Sequence, residues 1–203
     1  MKPTFDIENS IWDRGYKYIA GTDEAGRGPL VGPVVAAAVI LPKTFNIEGV
    51  NDSKKLSEKK REELYNLIIE NALCYSISII SEKIIDKINI YNASKKAMID
   101  AITSLHIKPD YILSDAMKLD LSIPCDAIIK GDAKSITIAA ASILAKVTRD
   151  RLMIELDSKY PMYNFKKNKG YPTKEHVNAI SKHGIIKEHR RTYNPVKEYI
   201  EKK

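Results

Sequence analysis

The chain has 203 residues, a net charge of +7 and two isolated cysteines, Cys74 and Cys125. That length can bury one substantial core, while the cysteine count excludes a disulfide framework and a cysteine-built zinc site, leaving two reduced structural thiols. No linker, repeat, membrane-length apolar run or signal-like start interrupts it, so a single cytoplasmic unit over residues 1–203 is expected.

In chain order, Tyr18-Ile19-Ala20 reads as the end of a strand and residues 34–41 (VVAAAVIL) as a buried strand. Between them stand Asp23-Glu24 and Gly26-Arg27-Gly28. Successive strand side chains face opposite ways, so the two carboxylates meet at one metal centre only if the backbone leaves regular geometry there. Gly26, Gly28 and Pro29 are expected to supply that break, and the glycines open backbone N–H groups to a phosphate or sugar oxygen. Ser57 caps a helix running to about Asn71, with Leu64, Leu67 and Ile68 on one face. Residues 73–80 are strand-like; residues 81–105 are helical with an interruption near 89–92, since Met98, Ile102 and Leu105 recur at helical spacing. Short apolar runs then end at Asp115 and just before Asp132, and Ser135 opens a helix whose alanines permit close packing on a sheet. Thr173 caps a last helix, closed by Gly184 after His183.

Three strand ends thus carry Asp23-Glu24, Asp115 and Asp132. Open sheets place ligand sites beyond the carboxyl ends of their strands. Four converging carboxylates repel one another unless cations compensate them, and hard oxygen ligands favour magnesium or manganese over zinc. Asp150, inside a helical pattern among arginines, is better read as a structural ion pair. None of His106, His176, His183 and His189 shows zinc spacing with the cysteines, and His189 is left as either structural or near substrate.

Charge is unevenly distributed. From Lys159 onward, 12 basic residues face four acids, a surplus of +8 that leaves −1 on the rest. This basic, helical C-terminal segment suits a polyanion backbone. Lys166, Lys167 and Lys169 lie among Tyr163, Phe165 and Tyr171, an aromatic interleaving that favours nucleic acid.

The run GTDEAGRGPLVGPVVAAAVIL resembles the signature of ribonuclease HII, the type 2 ribonuclease H family. The resemblance continues through Asn51-Asp52-Ser53-Lys54-Lys55-Leu56, Ser114-Asp115-Ala116, Lys130-Gly131-Asp132, AAASILAKVTRDRLM, Lys169-Gly170-Tyr171, Thr173-Lys174-Glu175-His176 and His189-Arg190-Arg191. It implies an α/β fold, a ribonuclease H-like mixed sheet flanked by helices. It also implies a metal-dependent endonuclease that cuts the RNA strand of RNA–DNA hybrids and the 5′ side of ribonucleotides embedded in duplex DNA, leaving 3′-hydroxyl and 5′-phosphate ends. The resemblance makes Asp23, Glu24, Asp115 and Asp132 the acidic tetrad, holding two Mg2+ or Mn2+ ions when substrate is bound. Asp23 would bridge the ions, Glu24 and Asp115 would each hold one, and Asp132 would bind or orient the ion that activates water. Gly26, Arg27 and Gly28 would meet the 2′-hydroxyl and a nearby phosphate. Asn51, Ser53 and Lys54 would suit phosphate contacts, and Tyr171 would pack on the sugar at the DNA side of the junction. The expected partners are RNA–DNA hybrid and ribonucleotide-containing duplex DNA, with no membrane, and the expected state is a monomer. The chain ends soon after Pro195-Val196-Lys197, so the further C-terminal helical segment of some relatives and a sliding-clamp-binding peptide are not expected.

Other readings stay open. The glycine spacing superficially fits a dinucleotide-binding turn, but Pro29 and Pro33 interrupt it and a strand follows where a helix should start. A non-catalytic nucleic-acid-binding module explains the basic segment but not the carboxylates. Another nuclease of the same superfold, such as a resolvase or integrase, would share the acidic site.

Overall fold

A computed structural model describes residues 2–202. Five strands form one sheet: β1 (Ile19–Ala25), β2 (Val34–Ile40), β3 (Cys74–Ile80), β4 (Tyr111–Asp115) and β5 (Cys125–Ile128). Their order is β3-β2-β1-β4-β5. β2 runs antiparallel to β1 and β3, while β4 is parallel to β1 and β5 to β4. The helices are α1 (Asp6–Asp13), α2 (Glu58–Asn71), α3 (Glu82–Thr103), α4 (Ile136–Lys159), α5 (Phe165–Asn168), α6 (Lys174–His183) and α7 (Val196–Glu201). This is the mixed sheet flanked by helices that the sequence predicts.

Every residue of β2 is fully buried, because helices cover both faces of the sheet, which is why it reads as an unbroken apolar run. Its side chains alternate: Ala36, Ala38 and Ile40 pack with Ala97, Met98 and Ala101 of α3, while Ala37 and Val39 pack with Leu64 and Ile68 of α2 and Ala140 and Ile143 of α4. Small side chains let the layers approach closely. At Gly21 the approach is extreme, since a Cβ there would lie 2.4 Å from the carbonyl carbon of Thr137. The N-terminal turn of α4 therefore rests directly on the β1 backbone.

The helix starts follow the sequence signals. Ser57, Ser135 and Thr173 accept from the N–H groups of Lys60, Ile138 and His176, each cap contributing about 1 kcal/mol. The break in α3 falls at Asn89, at φ 65°, and its side chain accepts from the Asn92 N–H to restart the helix. Buried Glu8 of α1 accepts from the Ser135 hydroxyl at 2.6 Å and the Thr137 N–H at 3.0 Å, anchoring α1 on the start of α4.

The C-terminal elements build their own apolar cluster from Leu30, Val31, Met153, Tyr163, Phe165 and Ile180. This corrects one expectation. Tyr163 and Phe165 are 1% and 0% exposed and stack with centroids 5.1 Å apart, so they are core rings and not a nucleic-acid platform. Among the described residues, no helix is long and apolar enough to cross a membrane.

Candidate active site

Register places the carboxylates. β1 runs unbroken through Asp23 and Glu24, which stand opposite Ala37 and Ala36 of β2. The sequence pattern predicts a backbone break there; the break comes after Ala25 instead, because all positions up to Ala25 keep their ladder partners. Directly opposed residues share a face, so Asp23 faces α4 and Glu24 faces the α3 side. Thr22 pairs in parallel with Ser114, which brings Asp115 beside Asp23 one step further on. Asp132 arrives on a 3-10 turn, Gly131–Ala133. One oxygen each from Asp23, Asp115 and Asp132 lies within 4.8 Å of the others. Glu24 is outside that group; its carboxylate lies 3.5 Å from the Arg27 guanidinium.

The group is electrostatically tense. Burial, then Glu24 and Asp115, holds Asp23 well above the usual carboxylate range, and burial, then Asp52 and Asp115, raises Asp132. Glu24 is raised by burial and by Asp115, against the pull of Arg27 and Lys54. Burial pulls Lys54 down, but Asp23, Asp132, Asp52 and Asp115 outweigh it and leave its ammonium above its ordinary value. Excess negative charge among oxygen donors, with no imidazole or thiolate, fits a hard divalent cation.

A cavity of about 390 Å³ opens beside the carboxylates, and Asp23, Glu24, Gly26, Arg27, Gly28, Ser53, Lys54 and Tyr171 all line it. Gly26 is required where it stands: at φ 102°, a Cβ would lie 2.1 Å from Nε of the buried Arg149. Arg149 donates to the carbonyls of Val31, Pro33 and Lys169. Arg190 donates to those of Gly26, Arg27, Gly32 and Pro33. Burial, then the neighbouring Arg190, draws Arg149 down to about 10, which leaves it charged at neutral pH.

The remaining predicted residues divide. Tyr171 is 45% exposed, and its ring edge is 3.3 Å from where a Gly28 Cβ would be. Ser53 is buried, its hydroxyl 2.8 Å from that of Ser142. Asn51 lines neither this cavity nor the adjoining one around Asp115 and Asp132, and its side chain accepts from the Asp52 N–H. Lys169, expected on the surface, has a largely buried ammonium 3.7 Å from Glu58, whereas Lys166 and Lys167 are exposed. Arg190 is likewise buried, and Lys203 of the basic segment lies outside the described residues. Asp150 is an ion pair, as the sequence predicts, but with Lys146 at 2.7 Å and Arg61 at 3.7 Å instead of the adjacent arginines.

His189 is structural. His176 Nδ1 is 3.0 Å from the Tyr171 carbonyl, the Ile186 N–H donates to His189 Nδ1, and the two Nε2 atoms are 3.1 Å apart. A carbonyl only accepts and an N–H only donates. His176 therefore carries its proton on Nδ1 and His189 on Nε2, giving one directed chain into the Tyr171 backbone.

Three contributors are not apparent in the sequence. Ser142 stands beside Asp23, Asp52 adds negative charge beside Asp132, and Arg190 holds the glycine turn. The one legible signal is Ser142, a lone hydroxyl in the run AAASILA.

The family model for ribonuclease HII matches residues 20–196. The chain belongs to the ribonuclease HII family. It is therefore a type 2 ribonuclease H, an endoribonuclease. The ribonuclease HII of Bacillus mycoides is 57% identical over 195 residues, covering 96% of this chain and 76% of that one. Among solved structures, the ribonuclease H2 of Pyrococcus horikoshii OT3 superposes with a TM-score of 0.79 at 31% identity, covering 92% of this chain and 98% of that one. The ribonuclease HII in the PCNA complex from Archaeoglobus fulgidus gives 0.75 at 28% identity, covering 88% and 96%.

Proposed function

We propose that this protein hydrolyses the RNA strand of RNA–DNA hybrids and cuts on the 5′ side of single ribonucleotides embedded in duplex DNA. The products are 3′-hydroxyl and 5′-phosphate ends. One observation carries the reading: Asp23 of the three-carboxylate group shares a cavity with the Gly26-Arg27-Gly28 turn and the exposed Tyr171 ring. A charge-accumulating corner and a sugar-sized slot then address the same nucleotide.

Asp23, Asp115 and Asp132, with Glu24 beside them, would hold two Mg2+ or Mn2+ ions when substrate is bound. Such ions supply Lewis-acid activation of water and neutralise charge building on the phosphate oxygens. The chain's own groups do the rest. Asp52 adds a further negative charge beside Asp132, which strengthens the group's attraction for cations. Ser142 orients Asp23, and Lys54 sets a positive charge beside the carboxylates to attract the scissile phosphate. The glycine turn meets the 2′-hydroxyl, Arg27 the neighbouring phosphate, and Tyr171 packs against the deoxyribose across the junction. The exposed basic side chains of the C-terminal segment grip the duplex backbone. The same reading makes the protein a cytoplasmic monomer whose partner is nucleic acid, which fractionation and sedimentation equilibrium check.

The deciding experiment is cleavage mapping on an end-labelled duplex with one ribonucleotide, in Mg2+ and in Mn2+ separately. A single cut at its 5′ side, absent from the all-DNA duplex, is expected. Equal cutting of a four-way junction without ribonucleotides would reject the reading.

A further inference from the structure

Arg149 and Arg190 are 1% and 0% exposed. Buried arginines are ordinarily matched by carboxylates. Here every hydrogen bond they make goes to a backbone carbonyl, apart from one between Arg190 and the Tyr193 hydroxyl. Arg190 Nη2 donates to the Gly26 carbonyl at 2.6 Å, and Nη1 to the Arg27 carbonyl at 2.9 Å. The Tyr193 hydroxyl donates to that same Arg27 carbonyl at 2.9 Å.

In a trans peptide the C=O of one residue and the N–H of the next point opposite ways. With the Gly26 and Arg27 carbonyls turned in on Arg190, the N–H groups of Arg27 and Gly28 turn out, toward the cavity these residues line. Neither N–H meets an acceptor among the described residues. Two adjacent donors are thus fixed in orientation and left open.

We propose that Arg190 is a positioning residue that presents the Arg27 and Gly28 N–H groups as a paired donor to the ribose 2′-oxygen and its adjacent phosphate oxygen. This deepens the function proposed above and rests on its reading of the turn. The arginine fork matters because one planar group must grip two consecutive carbonyls, which a lysine ammonium, a single point on a flexible stem, does less well. The lack of a carboxylate partner matters too. An acid holding Arg190 would occupy its donors and place negative charge behind a site meant for an anion. With no carboxylate in direct contact, and acids such as Asp150 and Asp86 acting only from further off, Arg149 and Arg190 both add positive potential there.

The test measures binding with metal chelated, so that nothing is cut. Dissociation constants are compared for a duplex with one ribonucleotide and its all-DNA twin, using wild type, Arg190→Lys and Tyr193→Phe. Arg190→Lys is expected to lose about tenfold of the ribonucleotide preference and Tyr193→Phe about threefold, the loss of one or two hydrogen bonds, with all-DNA affinity falling less because that duplex shares only the phosphate contact. In wild type, the amide resonances of Arg27 and Gly28 should shift further with the ribonucleotide duplex than with its twin, which shares only the phosphate contact. An Arg190→Lys protein that melts like wild type and keeps the full preference overturns the proposal. So do amide shifts equal for both duplexes. If Arg190→Lys does not fold, Tyr193→Phe and the amide shifts decide. Wild type with no preference at all would instead sink the reading of the turn, and the role of Arg190 with it.

Discussion

The backbone of Gly28 lies against the ring of Tyr171, so closely that a methyl group added there would sit 3.3 Å from Cε1. Turn and ring form two walls of one slot. If the ring packs on a deoxyribose, Tyr171→Ala should lower kcat/KM on a single embedded ribonucleotide by about tenfold and on a continuous hybrid much less, because continuous RNA puts a 2′-hydroxyl at that sugar. Tyr171→Phe should keep most of the preference. Equal losses on both substrates would leave Tyr171 a general duplex contact.

Asp115→Asn removes one negative ligand with almost no change in shape, and its oxygen also accepts from the Gly131 N–H at 2.7 Å. Cleavage in saturating magnesium should fall roughly 1000-fold or more while duplex binding persists. Asp23→Asn should behave alike. Calcium should bind wild type, seen as a rise in melting temperature, yet support little turnover. Near-normal turnover in either variant would defeat the assignment of these carboxylates as metal ligands.

The basic segment divides by burial. Replacing Lys166 and Lys167 with alanine should weaken hybrid binding and flatten its dependence on salt, by close to one unit of slope for each phosphate no longer neutralised. Adding Lys169→Ala should change that slope little, because its ammonium is turned toward Glu58. Fluorescence anisotropy between low and moderate salt checks both.

The buried imidazole pair makes stability depend on pH. Burial, then His176, holds His189 down at about 3, and burial lowers His176. Both are neutral in the folded protein, while the unfolded chain binds protons below about 6.5. Stability is complete above that value and is lost as pH falls: for His189 the loss runs through the window from about 6.5 to 3, by at most about 1.4 kcal/mol per pH unit, and His176 adds a loss of the same sign. His189→Gln keeps a donor for His176 and removes one titrating group. Urea unfolding at pH 7, 6 and 5 should give a shallower decline for this variant, and an identical decline would show that the pair does not titrate this way.

Much of this architecture is legible in the sequence because it is local. Ser57, Ser135, Thr173 and Gly184 mark helix ends through hydrogen bonds within a few residues, and Asn89 interrupts α3 where its side chain starts the next segment. Asp115 and Asp132 are visible as acids after short apolar runs. What stays hidden depends on distant partners. The burial of Tyr163 and Phe165 comes from Leu30, Val31 and Met153, far away in sequence, so aromatic rings between lysines look like a surface. Arg190 reads as one more basic residue, since nothing near it reveals that its acceptors are carbonyls at positions 26, 27, 32 and 33. Likewise, the split of Asp23 from Glu24 follows from a strand that runs on to Ala25, held by β2.

The parallel pairing of β1 with β4 also governs when the molecule becomes competent during its own synthesis. A ribosome delivers Asp23 early, but its neighbour Asp115 comes only after β2, β3 and α3 have emerged, and Asp132, Tyr171 and Arg190 follow later still. A chain interrupted after Asp132 would carry the acids in its sequence without α4, the slot or the grip on the glycine turn. On the proposed reading, selectivity for ribonucleotides would thus come after the acids themselves have been made. Because the C-terminal cluster packs Leu30 and Val31 beside that turn, the proposed recognition surface waits on residues made long after the turn itself.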